Sequence, residues 1–343
     1  MSELKTNKIS TNDQNNVAID NALGLKSYTT TARDALTSVA GDMIYNTTES
    51  KPQYYNGTSW EDFATPTFSI DFLIIGGGAG TERYSGGGGA GGYRNSYSSE
   101  TSGGGNSSET ALTLSKDGTT TYLVTVGAGG AGGNSRAKSG NSSIFSVIQS
   151  IGGGFGGRGD GGDGGSGGGG GYSSSTKTGG SGTTNQGFAG GNNATDNNTS
   201  GGGGGASAVG GNSNTFTSGA GGAGLSSSIT GSAVTRAGGG GGGAGTTPDN
   251  AGAGGAGGGG NGGSRVLGVG AVAGTVNTGG GSGGGGDIYD GNSGGSGIVI
   301  LRWATADATI GGTRTGLTDG GVQTDGSDSY IVFTAGTGTI SFS

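Results

Sequence analysis

The side chains best suited to chemistry in this sequence are tyrosines standing among glycines: Tyr84, Tyr93, Tyr97, Tyr172 and Tyr289. Each sits where the chain offers little other side chain. A tyrosine ring joins an apolar face to a polar tip, which suits it to sugar rings and protein surfaces. Phe155, Phe188 and Phe216 occupy similar places without the hydroxyl. Two readings stand: contact with a receptor, for which the tyrosines are the better candidates, or packing at segment ends and beside strands.

Other constellations carry weaker chemistry. Asp160 with Asp163, and Asp325 with Asp328, present oxygens that suit calcium. Neither spacing matches a known binding loop, and solvated surface carboxylates are the plainer reading. Glycoside hydrolysis needs two acids converging in a cleft, which the sparse acids of a glycine-rich body do not predict. Arg158-Gly159-Asp160 spells an integrin-type tripeptide that such a run produces by chance. Residues 72–80, FLIIGGGAG, imitate a strand entering a dinucleotide-binding turn. That turn needs a helix next, and Thr81-Glu82-Arg83-Tyr84-Ser85 leads into more glycine instead. With no histidine and no cysteine, imidazole bases, thiolate nucleophiles, disulfides and the usual zinc ligands are excluded. No catalytic residue, cofactor or metal is expected, and the chain reads as non-enzymatic.

The chain that must position these residues is unusual in composition. Of 343 residues, 94 are glycine and only 28% are hydrophobic, and the net charge is -7. Three prolines and no strict Gly-X-Y period exclude collagen. Scattered Lys and Arg in an acidic chain argue against a nucleic-acid partner, which wants a basic stripe. The polar start MSELKTNKISTNDQNN does not read as a secretory leader. The apolar runs at 72–75 and 298–301 are too short to span a bilayer, so no membrane insertion is expected.

Composition divides the chain into residues 1–30, 31–66, 67–303 and 304–343. The second stretch predicts a short helix over 32–36, capped by Thr31 and stopped by Gly41. Strands follow at 43–47 and 53–55 across a Lys51-Pro52 turn, and Asn56-Gly57 opens a hairpin into 59–63. So small a unit is marginal alone and is expected to pack against sister chains. The glycine-rich body of 67–303 is interrupted by β-type runs at 70–75, 121–126, 144–151 and 298–303. The last stretch predicts a closing β unit in which 330–334 and 339–342 alternate around Gly336-Thr337-Gly338.

Within the body, non-glycine residues often recur at every third position. Ala128-Gly-Gly-Ala131-Gly-Gly-Asn134 and Asp160-Gly-Gly-Asp163-Gly-Gly-Ser166 show the step. Polyproline II geometry has three residues per turn and no internal hydrogen bonds, so every amide needs a partner in another segment. The expected fold class is mainly β: short strands framing a bundle of polyglycine II helices, preceded by a helix-turn/β-hairpin module. A disordered glycine spacer is the opposing reading, and the apolar strands embedded in the body argue against it.

The string ARDALTSVAGDMIYNTTESKPQYYNGTSWEDF, residues 32–63, resembles a module of tail-fibre proteins of marine bacteriophages. The preceding ELKTNKISTNDQNNVAIDNALGLKSY looks like the N-terminal lead of the same proteins. IDFLIIGGGAG, SGGGGAGGYR, YLVTVGAGGAGG and GGSGIVILRW resemble the glycine-rich domain of phage fibres and adhesins. The resemblance implies a host-recognition fibre or adhesin, joined to other tail proteins through residues 1–30 and commonly trimeric. Its partner would be a host cell-surface receptor, a glycan or an outer-membrane protein. Its place would be the virion, made in the host cytoplasm and released by lysis. A structural appendage or spacer without receptor contact is the alternative.

Overall fold

Short apolar runs separated by turn residues make this a mainly β chain, with 29% strand and 3% helix. The computed structural model describes residues 24–63, 66–195, 198–245, 250–311 and 314–343. Residues 1–23, most of the expected tail-attachment segment, lie outside the described residues. The chain forms two units, Met1–Thr65 and Pro66–Ser343.

In the N-terminal unit, β1 (Ser27–Tyr28) precedes a single helical turn, α1 (Thr30–Asp34). The cap is Thr29, whose hydroxyl accepts from the Ala32 amide; the expected cap, Thr31, lies inside the helix. β2 (Met43–Asn46), β3 (Lys51–Tyr55) and β4 (Trp60–Asp62) complete a sheet in the order β1-β2-β3-β4. Lys51 and Pro52 are not a turn but part of β3, paired with Asn46 and Tyr45. The turn is set earlier, by Asn46, whose Oδ1 accepts from the Thr48 and Glu49 amides, and by Ser50 at φ 57°. Beneath the sheet the buried residues are Ile44, Asn46 and Gln53, a small and largely polar core. Gln53 Oε1 accepts from Asn46 Nδ2 at 3.0 Å and from Arg33 Nη1 at 2.8 Å.

The second unit begins with β5 (Thr67–Ile75), β6 (Tyr93–Asn95), β7 (Leu112–Ser115) and β8 (Thr121–Thr125). β9 (Ser143–Phe145) and β10 (Ile148–Ser150) follow, then β11 (Leu225–Ser227), β12 (Val234–Arg236) and β13 (Ile298–Ala304). β14 (Ile310–Gly311), β15 (Leu317–Asp325) and β16 (Asp328–Phe342) end the chain. Ten of these strands form a nearly closed, barrel-like sheet with the path β10-β9-β8-β16-β13-β5-β6. The run at 144–151 is therefore a hairpin reversing at Ser146, φ 52°, rather than one strand. Residues 330–342 are one long strand bent at Gly336, φ 96°, rather than two. One half of β16 pairs with β13 and the other with β8, so the closing residues belong to the same sheet as the body's strands.

The apolar run of β5 is buried on both faces, as an uninterrupted strand should be. Phe72 and Ile74 join Val299, Leu301, Ile331, Phe333 and Phe342 in the barrel core. Leu73 and Ile75 face the other way, with Ile298, Ile300, Tyr93 and Ile229. On that second side lie the glycine runs.

The amides of the first run rotate through three neighbours. Gly76 and Ala79 donate to the carbonyls of Gly92 and Gly89, Gly77 and Gly80 to those of Asn141 and Lys138, and Gly78 and Thr81 to those of Gly295 and Asn292. The next run repeats the pattern. Gly86, Gly89 and Gly92 donate to Gly157, Gly154 and Ile151, Gly87 and Ala90 to Gly201 and Gly204, and Gly88 and Gly91 to Ser282 and Gly279. Its carbonyls accept from Gly76, Ala79, Ser166, Gly169 and Gly240, so this run is bonded to neighbours on every side. Approach is too close for side chains: a Cβ on Gly240 would lie 1.8 Å from the Ser282 oxygen, and one on Gly88 2.5 Å from the Ala79 oxygen. Where side chains do enter they are small, as with Ser200, whose hydroxyl oxygen lies 2.9 Å from the Ser85 carbonyl and 2.7 Å from that of Gly243.

Substituting Gly240→Ala is expected to lower stability by about 1–3 kcal/mol or more through overpacking against backbone that cannot yield. Gly159→Ala, where a Cβ meets nothing within 4 Å, is the control and should be neutral or slightly stabilising. Thermal unfolding of both variants checks the contrast; equal melting temperatures would contradict it.

Candidate functional site

The chain bears long side chains where its glycine runs reverse, and several of these turns meet. In the turn at residues 81–85, the Ser85 hydroxyl donates to the Glu82 carbonyl, and Tyr84 is held at φ 64°. Positive φ is uncommon for a bulky residue such as tyrosine. Tyr84 Oη donates to Asp287 Oδ1 at 2.7 Å, joining this turn to the one at residues 287–290. Arg83 binds Asp290 in the same turn, through Nε at 3.0 Å and Nη2 at 2.6 Å. Asp287 also pairs with Arg265, which brings in a third turn. The Glu82 carboxylate accepts from the backbone amides of Arg136 at 2.7 Å and Arg158 at 3.0 Å, tying down two more.

Aromatic contacts complete the cluster. The Tyr84 ring meets Tyr172 edge to face, with centroids 5.1 Å apart. The Arg158 guanidinium lies over the Tyr84 ring, 4.7 Å from its centroid, in cation–π geometry. Around this centre Val266, Leu267, Val269 and Ile288 are exposed on the Arg265 and Asp287 turns. Tyrosine, arginine and exposed aliphatic groups together suit non-covalent contact with another surface.

The hydrogen bond from Tyr84, and next the pairing with Arg265, hold the Asp287 carboxyl below its ordinary range. The same bond to Asp287 raises the Tyr84 phenol, with desolvation adding to it. Burial pushes the Tyr172 phenol up, and its hydroxyl finds no hydrogen-bond partner among the described residues.

Of the five tyrosines singled out from sequence, Tyr84 and Tyr172 meet, and Tyr289 lies in the Asp287 turn. Tyr93 is fully buried in the core beneath β5, so it has no surface to offer a partner. Its position in a glycine-rich stretch concealed that it begins β6 and faces Ile75 across the sheet. Tyr97 is half-buried against the same core with the Arg302 guanidinium 5.1 Å from its ring centroid, apart from the cluster. Phe155 is partly exposed and packs over Gly162, Phe188 is half-buried, and Phe216 is exposed on a separate turn.

The acidic pairs brace the fold. Asp160 accepts from the Thr178 amide and Asp163 from the Ser181 amide, linking one glycine run to the next. Asp325 and Asp328 each hold the buried Arg302 at 2.9 Å. Among the described residues no group of three acidic side chains gathers to hold a metal ion. After β5, the amides of residues 76–81 all donate to neighbouring runs, so none is left to cradle a phosphate.

Arg83, Arg265, Asp287 and Asp290 were not singled out from sequence. The available signal was that ERYS, RVL and DIYD interrupt otherwise bare glycine runs. What joins Arg83 and Tyr84 to Asp290 and Asp287 is contact across about 200 positions of chain, which no local pattern records.

A family model described as a glycine-rich domain matches residues 55–304. No curated protein matches the chain.

Because the Asp287 carboxyl is depressed in the folded chain, its contribution is present above its unfolded value, near 3.8, and is lost as pH falls through the lower folded value. Asp287→Asn is therefore expected to lower the melting temperature at neutral pH, by an amount that shrinks as the pH drops below that range. A deficit that stayed constant with pH would contradict the assignment.

Proposed function

The chain belongs to the glycine-rich domain family, and we propose that it is a tail fibre or adhesin of a tailed bacteriophage, a non-enzymatic protein that attaches the virion to its host cell. The observation that carries this reading is the cluster of Tyr84, Tyr172, Arg158 and exposed aliphatics on turns tied to a close-packed backbone body. Contact residues held in place before binding lose little conformational freedom on binding, so more of their interaction appears as affinity. Support also comes from the resemblance of residues 32–63 to the phage fibre module.

In this reading the glycine runs are polyglycine II helices, bundled by bonds between neighbours. The rotation of successive amides through three partners, returning at every third residue, favours that geometry. The receptor is a glycan or an outer-membrane protein of the host. Residues 1–30 join the fibre to other tail proteins. The N-terminal unit associates as a homotrimer, a state favoured by Met43, Tyr45 and Phe63 lying exposed on a unit with so small a core. The protein is made in the host cytoplasm, assembled on the virion and released by lysis.

The test is binding of labelled full-length protein to a panel of marine bacteria, with antiserum against it as a block to phage adsorption. Replacing Tyr84 and Arg158 together by Ala is expected to weaken cell binding by about tenfold or more, as loss of an aromatic–arginine hot spot does. Unimpaired binding by that variant would remove the cluster from the receptor contact. Failure of the wild-type protein both to bind cells and to raise blocking antiserum would favour a spacer or appendage.

A further inference from the structure

The N-terminal unit holds a concave surface of its own. α1 and the loop after it face the β3–β4 hairpin across a cavity of about 370 Å³, within the size range of small-ligand sites. One wall is aromatic: Tyr55 and Trp60 are cross-strand partners with ring centroids 5.4 Å apart. The hairpin that carries them is fixed by Asn56, whose Oδ1 accepts from the Thr58 and Ser59 amides at 2.8 Å each, with Gly57 at φ 103°. Trp60 and Ser38 also border an adjoining cavity of about 240 Å³, so the indole stands between two neighbouring spaces.

The opposite wall is polar. Arg33 Nε donates to Asp34 Oδ1 at 2.8 Å, and Arg33 Nη1 is taken by Gln53, so the cation is already compensated. Asp34 is more than half exposed beside it. Ser38 lines both cavities, with its hydroxyl turned in from solvent. Among the described residues Leu36 is the single aliphatic side chain lining the larger cavity. The indole face of Trp60, with the Tyr55 ring tilted 56° to it and a carboxylate opposite, suits a sugar ring, whose C–H face stacks and whose hydroxyls donate. An anion would meet Asp34 and an occupied guanidinium.

We propose that this cleft binds a neutral oligosaccharide, one ring stacked on the Trp60 indole in the larger cavity, with Asp34 accepting from its hydroxyls. This is a second site, independent of the tyrosine cluster. It extends the host-attachment reading but is tested separately from it.

The probe is an array of neutral gluco-, manno- and galacto-oligosaccharides, with sulfated and sialylated chains as charged counterparts, read with the labelled full-length protein. Wild-type protein is expected to retain neutral chains. Trp60→Ala should weaken that retention by about tenfold or more. Trp60→Phe should keep more of it than Trp60→Ala, and Asp34→Asn, which leaves an oxygen for Arg33, should weaken it while the protein still folds. Val147→Ser, on an exposed turn of the other unit, should match wild type. The proposal is overturned if no neutral chain is retained, if only charged chains are retained, or if Trp60→Ala and Asp34→Asn both bind as wild type. Retention lost on Arg158→Ala but kept on Trp60→Ala would place sugar binding at the tyrosine cluster and overturn it here.

Discussion

The distance between neighbouring backbones governs this structure. In the run at residues 86–92 the chain lies so near its neighbours that a methyl group at Gly88 or Gly240 would overlap a carbonyl oxygen. Only the closeness lets amide and carbonyl meet from run to run, and only glycine permits the closeness. A buried peptide group without a partner is destabilising, so the glycine runs are interdependent. Removing one run strands the amides of the others. The consequence for function is a division of labour: the body's interior is nearly bare backbone, and long side chains collect where the runs turn.

The barrel-like sheet supplies what bare backbone lacks. β5 and β13, with Trp303 among their side chains, present one apolar face to Phe333 and Phe342 and the other to Tyr93, Ile229 and the glycine side. The second face fastens the runs to a conventional hydrophobic core. The run that leaves β5 at Gly76 continues through the body to the turn at Tyr84, so the strand, the run and the cluster are one short stretch of chain. Tyr84 is thereby held from both ends, by the sheet behind it and by Asp287 and Tyr172 around it.

Much of this was readable from sequence, for physical reasons that differ by element. The β-type run at 70–75 announced a strand, and Asn56-Gly57 announced its hairpin. Three-residue periodicity around Ala128 and Asp160 pointed to runs that bond to neighbours rather than to themselves. Turn placement was less legible. Lys51-Pro52 resembled a reversal, but the side chain of Asn46 turns the chain earlier. Ile144–Ile151 looked like one strand because Ser146 and Val147 do not advertise a turn. Tyr93 looked like its exposed counterparts because burial is decided by β5, far from it in composition. The ionic partners of Tyr84 and Arg83 were beyond reach, since their proximity exists only after the runs have assembled.

Amide hydrogen–deuterium exchange, followed peptide by peptide, tests the interlocked body most directly. Residues 86–92 and 201–204 should exchange slowly and together, at rates set by unfolding of the whole unit, because their amides are bonded to carbonyls of other runs. Exchange in these glycines at the rate of an unstructured peptide, while β5 and β13 stayed protected, would show that the runs are not held by one another. It would contradict the account.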